Sequence, residues 1–200
     1  MLITFEGIDG SGKTTQSRKL YNFLRERGVE AYLYREPGGT PVGESIREIV
    51  INQDVYERTE LLLFESARAE LVQRELKPKL ERGAVLILDR YTDSTLAYQS
   101  YGRGIDLDLV LELNRFASQG IKPDITFLLD LEPSEALRRV KNSTRFDELE
   151  FLKRVREGFL KIAEEEPQRV VVLSSSEGEE EVFSQILGRL KGRFPDRFDF

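Results

Sequence analysis

The sequence predicts an α/β fold, with five short strands in a mostly parallel sheet and helices on both faces. Three observations predict it. Near-continuous Val/Ile/Leu/Phe runs alternate with stretches of helical spacing, as in a parallel sheet covered on both sides. A chain of 200 residues is long enough for one such domain with a sizeable core, so residues 1–200 are expected to form one unit. The apolar run Leu2-Ile3-Thr4-Phe5 leads straight into a glycine-rich turn and then a helical stretch.

Taken in order, the strands are predicted at Leu2–Phe5, Glu30–Tyr34, Ala84–Leu88, Ile125–Leu129 and Arg169–Leu173. A first helix spans Thr14–Arg27 and stops at Gly28, a residue suited to helix C-caps. Gly83 and Gly120 end two later helices in the same way. Thr40-Pro41 reads as an N-cap followed by proline at the first helical position. A long helix runs from Thr59 towards Arg82, with a break expected near Pro78. Another runs from Asp147 to Glu166. The acidic cluster Glu177–Glu181 reads as a solvated helix start, where carboxylates suit the positive end of the helix dipole. The chain carries no internal repeat, linker or low-complexity segment.

The glycine-rich turn is Gly7-Ile8-Asp9-Gly10-Ser11-Gly12-Lys13-Thr14, which fits the phosphate-loop pattern G-x-x-x-x-G-K-[ST]. Glycines let successive backbone N–H groups turn inward as an anion nest, and the following helix points its positive end at the same place. Lys13 is placed to reach the β- and γ-phosphates of a nucleoside triphosphate, and the Thr14 hydroxyl to ligate Mg²⁺. In open parallel sheets ligands bind at the carboxyl ends of the strands. The segments there are the phosphate loop, Arg35-Glu36-Pro37-Gly38-Gly39-Thr40, Asp89-Arg90-Tyr91 and Asp130. Asp89 is the favoured second acidic element near Mg²⁺, because Arg90 beside it can face another phosphate. Asp130 competes for the role, but Leu131-Glu132-Pro133 after it looks like a helix start, so a capping carboxylate is the expectation there.

Composition narrows the chemistry. The formal charge of −6 argues against a general nucleic-acid or membrane binder. With no cysteine and no histidine, there is no thiol nucleophile, imidazole base or thiolate or imidazole zinc site. A metal must then be a hard ion held by oxygen, and Mg²⁺ is the natural choice. No apolar run reaches membrane-spanning length, and Met1-Leu2-Ile3 runs directly into the motif strand, so a cytoplasmic protein is expected.

Two further groups stay open on spacing alone. Phe64 and Arg68 share a helix face and could stack on a base and bond its edge. The same spacing describes a core phenylalanine beside a solvated arginine, and on spacing that reading prevails. Arg138, Arg139, Lys141 and Arg145 surround Asn142-Ser143-Thr144 between two helices. They suit either a flap carrying cations to a moving phosphoryl group or an exposed basic turn.

Several motifs together resemble the thymidylate kinases. They are Phe5-Glu6-Gly7 through Thr15-Gln16, Arg35 through Thr40, Leu63-Phe64-Glu65-Ser66-Ala67-Arg68, Asp89-Arg90-Tyr91 through Tyr98-Gln99, and Phe151 through Phe159. The resemblance covers nearly the whole chain. It implies a P-loop kinase fold, a three-layer α/β/α sandwich with a short LID at about 139–147, and a homodimer. It implies transfer of the ATP γ-phosphate to thymidine monophosphate. By matched position, Phe64 would stack on thymine, and Arg68 would bond its edge. Arg35 and Arg90 would hold the acceptor phosphate. Tyr98 would occupy the place of a ribose 2′-hydroxyl, with Ser94, Thr95 and Gln99 in the same acceptor site beside Glu36 and Pro37. Asp9 would help order the acceptor sugar or Mg²⁺. Some relatives carry arginine at the position of Gly10. Glycine here implies catalytic cations from the flap instead, Arg139, Lys141 and Arg145. Alternatives are a kinase for another monophosphate or a deoxynucleoside, and a nucleotide-dependent switch.

Overall fold

A computed structural model describes residues 1–140 and 148–198. The strands are β1 Leu2–Glu6, β2 Ala31–Arg35, β3 Val85–Asp89, β4 Ile125–Asp130 and β5 Val170–Ser174. Their order is β2-β3-β1-β4-β5, and every pairing is parallel. Each strand ends one residue beyond its predicted limit, and the added residue is polar in every case. Hydropathy marks where burial stops, whereas backbone pairing continues one step further. The register aligns those tips: Asp89 faces Phe5 and Arg35, and Asp130 faces Ser174. A row of polar side chains therefore rims the carboxyl edge.

The helices are α1 Lys13–Glu26, α2 Pro41–Asn52, α3 Glu57–Leu71, α4 Lys77–Glu81, α5 Thr92–Thr95, α6 Leu107–Ala117, α7 Pro133–Arg139, α8 Leu149–Glu165 and α9 Glu179–Arg193. Alternate strand residues serve opposite faces, as the two-residue period of a strand requires. Ile3, Phe5, Val85, Ile87 and Phe127 pack on Leu20 and Leu24 of α1 and Ile186 and Leu190 of α9. Leu2, Leu86 and Leu88 pack on Leu71 at the end of α3 and on Val72 and Leu76. Two strand threonines interrupt the apolar runs, and both are buried. Thr4 and Thr126 pair at 2.7 Å, and Arg169 Nη1 donates to Thr126 at 2.7 Å, so neither hydroxyl is orphaned.

The expected caps are present. Thr40 Oγ1 accepts the Gly43 N–H at 2.9 Å with Pro41 at the first position of α2. Gly28, Gly83 and Gly120 follow helices with positive φ. One expectation needs correction. The long helix does not break at Pro78. It begins at Glu57, passes through a π-helical stretch at Val72–Leu76 and continues as α4. Proline removes one N–H, and the wider turn just before it, with Lys77 N–H bonded to Val72 O, lets the helix carry on. The acidic helix start is exposed as expected, and Lys19 of α1 pairs there with Glu179 at 3.1 Å and Glu180 at 2.6 Å.

A second π-helical stretch, Leu96–Gly102, extends α5 and lies against α8. Phe151 and Phe159 meet the Tyr98 ring edge-on, at 5.9 and 6.2 Å between centroids. Gly158 lets α8 come close: a Cβ there would stand 2.7 Å from the Tyr101 ring. Among the described residues no helix is long and apolar enough to cross a membrane. Gly158→Ala should lower stability by about 1–3 kcal/mol, since the backbone must retreat from Tyr101; urea unfolding of the variant checks it.

Candidate active site

The phosphate loop leaves the tip of β1 and enters α1. Gly7 has φ +137° and Gly10 φ +83°, values that side-chain-bearing residues rarely adopt. Space forbids substitution as well. A Cβ at Gly7 would lie 2.5 Å from Leu129 O, and one at Gly10 would lie 2.7 Å from Ala136 O in α7. Gly12 stands at the N-cap of α1, so no side chain occupies the first-turn N–H groups. Those donors remain for an anion. Lys13 is 5 % exposed and folds over the loop, with Nζ donating to Ile8 O at 2.8 Å. Ser175, just after β5, donates to Ser11 O at 2.5 Å and braces the loop from the far side.

Asp89 and Thr14 come together as the sequence predicts, the Thr14 hydroxyl donating to Asp89 Oδ2 at 2.5 Å. No group of three or more carboxylates that could hold a metal exists among the described residues. One carboxylate and one hydroxyl beside a phosphate nest is a donor set that fits Mg²⁺, which keeps several waters and takes phosphate oxygens as ligands. Asp130 is not a helix cap. Arg156 of α8 grips it with Nε at 2.7 Å and Nη2 at 3.0 Å, while Glu132 takes the capping position of α7 without a side-chain bond. The capping expectation fails because the partner lies 26 residues away in sequence.

Arg90 projects from the tip of β3 with φ +74°. Its guanidinium donates to Gly7 O at 3.2 Å, Ser94 Oγ at 3.0 Å, Asp9 Oδ1 at 2.5 Å and Tyr98 OH at 3.2 Å. Burial works against charge on Asp9, but Arg90 and then Lys13, at 3.9 Å, outweigh it and hold the carboxyl at about 2. Burial, together with Arg90, pulls Lys13 down to about 8 despite Asp9.

Two clefts open on the rim. One is lined by Gly10, Gly12, Lys13, Thr14, Asp89 and Arg139, with Arg35 and Glu44 at its edge. The other is lined by Pro37, Phe64, Arg68, Ser94, Thr95, Tyr98 and Gln99. The clefts share Asp9, Glu36, Arg47 and Arg90. Phe64 is half-buried. Arg68 is 2 % exposed, so the solvated-arginine reading is wrong. It donates through Nε and Nη2 to Glu36 Oε2, through Nη1 to Glu65 and Asn114, and through Nη2 to Thr95. These five bonds match the five donors of a guanidinium. Glu36 Oε1 is buried without a partner, and burial raises the Glu36 carboxyl to about 7 against the pull of Arg68. Gln99 donates to Glu60 at 2.8 Å. Arg35, half-exposed, pairs with Glu44 at 2.8 Å.

Arg139 donates to Ser175 O at 3.0 Å at the edge of the phosphate-loop cleft. Lys141 and Arg145, and with them most of the proposed LID, lie outside the described residues. Sequence reasoning missed Arg47, a half-buried cation on α2 that donates to Pro37 O at 3.2 Å and faces both clefts. Its signal was faint: one arginine among the helical residues just after a strand-tip loop.

The Lys13 shift has a definite sign. The folded value of about 8 lies below the ordinary 10.5, so the unfolded chain binds more protons between them. The penalty is fully present below about pH 8 and relieved as pH rises towards 10.5. Urea midpoints should climb across that window more steeply in the wild type than in Lys13→Met.

Comparison with known proteins agrees with this geometry. The thymidylate kinase family model matches residues 5–186. The chain is 49 % identical to a thymidylate kinase of Chlorobaculum parvum, covering 96 % of this chain and 95 % of that protein. It is 47 % identical to one of Chlorobaculum tepidum, covering 95 % and 96 %. The crystal structure of thymidylate kinase from Ehrlichia chaffeensis superposes with a TM-score of 0.83 at 40 % identity, covering 95 % of this chain and 98 % of that one. With a phosphate loop, an Asp-Arg-Tyr strand tip and a family match over most of its length, this chain belongs to the thymidylate kinase family.

Proposed function

We propose that this member of the thymidylate kinase family transfers the γ-phosphoryl group of ATP to thymidine monophosphate, giving thymidine diphosphate and ADP. One observation carries the reading: a phosphate-loop cleft and a second cleft bearing an aromatic ring meet at Asp9, Arg47 and Arg90. Two phosphorylated ligands seated in them would present their phosphates to each other.

ATP phosphates occupy the loop from Gly7 to Thr14, with Lys13 turning from Ile8 O to the β- and γ-phosphates. Thr14 and Asp89 would hold Mg²⁺, which would supply charge neutralisation on the phosphate oxygens. The acceptor phosphate is held by Arg90, Arg35 and Arg47. Phe64 stacks on the base. Arg68 orders the wall around it, and a base edge that takes a bond from Arg68 replaces one of its present partners. Tyr98 closes the space beside the sugar with Ser94, Thr95 and Gln99. Arg139, joined by Lys141 and Arg145 from the flap, adds cations at the moving phosphoryl group.

The chemistry needs little from a base. A phosphate monoester is largely dianionic near neutral pH, so the nucleophile is ready, which suits a chain without histidine. The difficulty is bringing two polyanions into line, and preorganised cations lower that barrier. The enzyme works in the cytoplasm. It assembles as a homodimer, which the exposed Ile51, Leu62 and Phe116 on α2, α3 and α6 support.

Turnover of thymidine, deoxyuridine, adenosine and guanosine monophosphates tests the acceptor assignment. The thymidine compound should be preferred, and a purine preference rejects the roles of Phe64 and Arg68. ADP release should rise with added acceptor, and Lys13→Ala should cut kcat by about 10² while remaining folded. Light scattering should give twice the chain mass; the chain mass alone rejects the dimer.

A further inference from the structure

The last residue of β1 is a glutamate, 1 % exposed, that lines neither cleft. A buried carboxylate costs more than an apolar residue unless its bonds are all made. At Glu6 both oxygens are engaged, each by one neighbour. Oε1 accepts the Tyr91 N–H at 2.7 Å, and Oε2 accepts the Ser94 hydroxyl at 2.5 Å. Among the described residues no cation stands within ion-pair distance of it. Both partners flank Arg90. The Tyr91 amide is the peptide that follows Arg90, whose φ of +74° is a conformation that arginine holds only when its surroundings impose it. Ser94 Oγ in turn accepts from Arg90 Nη1 at 3.0 Å. Arg90 N–H also bonds Phe5 O, beside Glu6, at 3.0 Å.

We propose that Glu6 is a positioning residue that fixes Arg90 at both ends, its backbone through the Tyr91 amide and its guanidinium through Ser94, and so sets the acceptor phosphate in line with the nucleotide bound by the loop that begins at the next residue. Glu6 touches neither substrate. It converts the fixed geometry of the sheet into the fixed geometry of a side chain on the neighbouring strand tip. The inference rests on the reading that Arg90 holds the acceptor phosphate.

Steady-state kinetics of Glu6→Gln, Ser94→Ala and Arg90→Ala, with thymidine as a phosphate-free ligand, test it. Glutamine keeps the shape and can still accept from Tyr91, but its amide nitrogen cannot accept from Ser94. The acceptor KM of Glu6→Gln should rise about tenfold, as expected for loss of one buried hydrogen bond. The ATP KM and the affinity for thymidine should stay within about twofold of wild type. Ser94→Ala should shift the acceptor KM in the same direction, so the test survives if one variant does not fold. An unchanged acceptor KM in both variants overturns the proposal. So does a parallel loss of ATP and thymidine affinity, which marks general slackening. If Arg90→Ala leaves the acceptor KM unaltered, the underlying reading of Arg90 fails, and the inference falls with it.

Discussion

The site depends on the Asp9 carboxylate. Lys13 and Arg90 are both held out of water at the strand tips, and two such cations side by side repel each other and resist burial. Asp9 lies 2.5 Å from Arg90 and 3.9 Å from Lys13 and offsets part of that repulsion. Burial, and after it Arg90, still holds the Lys13 ammonium below its ordinary value, so Lys13 is not fully compensated. An anion at the glycine nest would supply the missing negative charge. If the proposed roles of Lys13 and Arg90 hold, binding and catalysis draw on the same imbalance, because cations placed for the ground-state phosphates would also face the charge that develops during transfer.

What the sequence disclosed follows from the range of the interactions. The phosphate loop was legible because its function needs contiguous backbone, glycines and one lysine, all within Gly7–Thr14. The strands were legible because both faces are buried, and only their polar final residues escaped. Arg68 was misread because its burial depends on Glu36 and Asn114, 32 and 46 residues away. Asp130 was misread for the same reason, its partner being Arg156. The π-helical stretches have no local signature; they arise where Pro78 or the packing of Tyr98 makes an ordinary turn unsuitable.

The segment from Phe151 to Phe159 reads in the sequence as part of a helix and resembles a family motif, but neither reading attaches a role to it. The structure gives it a physical role. Phe151, Val155 and Phe159 form the wall against which Tyr98 is held, and Gly158 and Gly102 remove side chains that would keep α8 at a distance. Arg156 on the same helix holds Asp130 at the end of β4. One helix therefore braces the cleft beside Tyr98 on one side and the tip of β4 on the other. Cleft shape is set by aromatic packing, which is stiff, rather than by loop conformation, which is not.

The contact between the loop and α7 has an evolutionary consequence. Residue 10 faces the Ala136 carbonyl with no room for even a methyl group. A single codon change that introduced arginine there would have to displace a helix before it could contribute any charge. A lineage with α7 seated this way is held to glycine at position 10 by sterics, and a change there would have to come together with a shift of that helix.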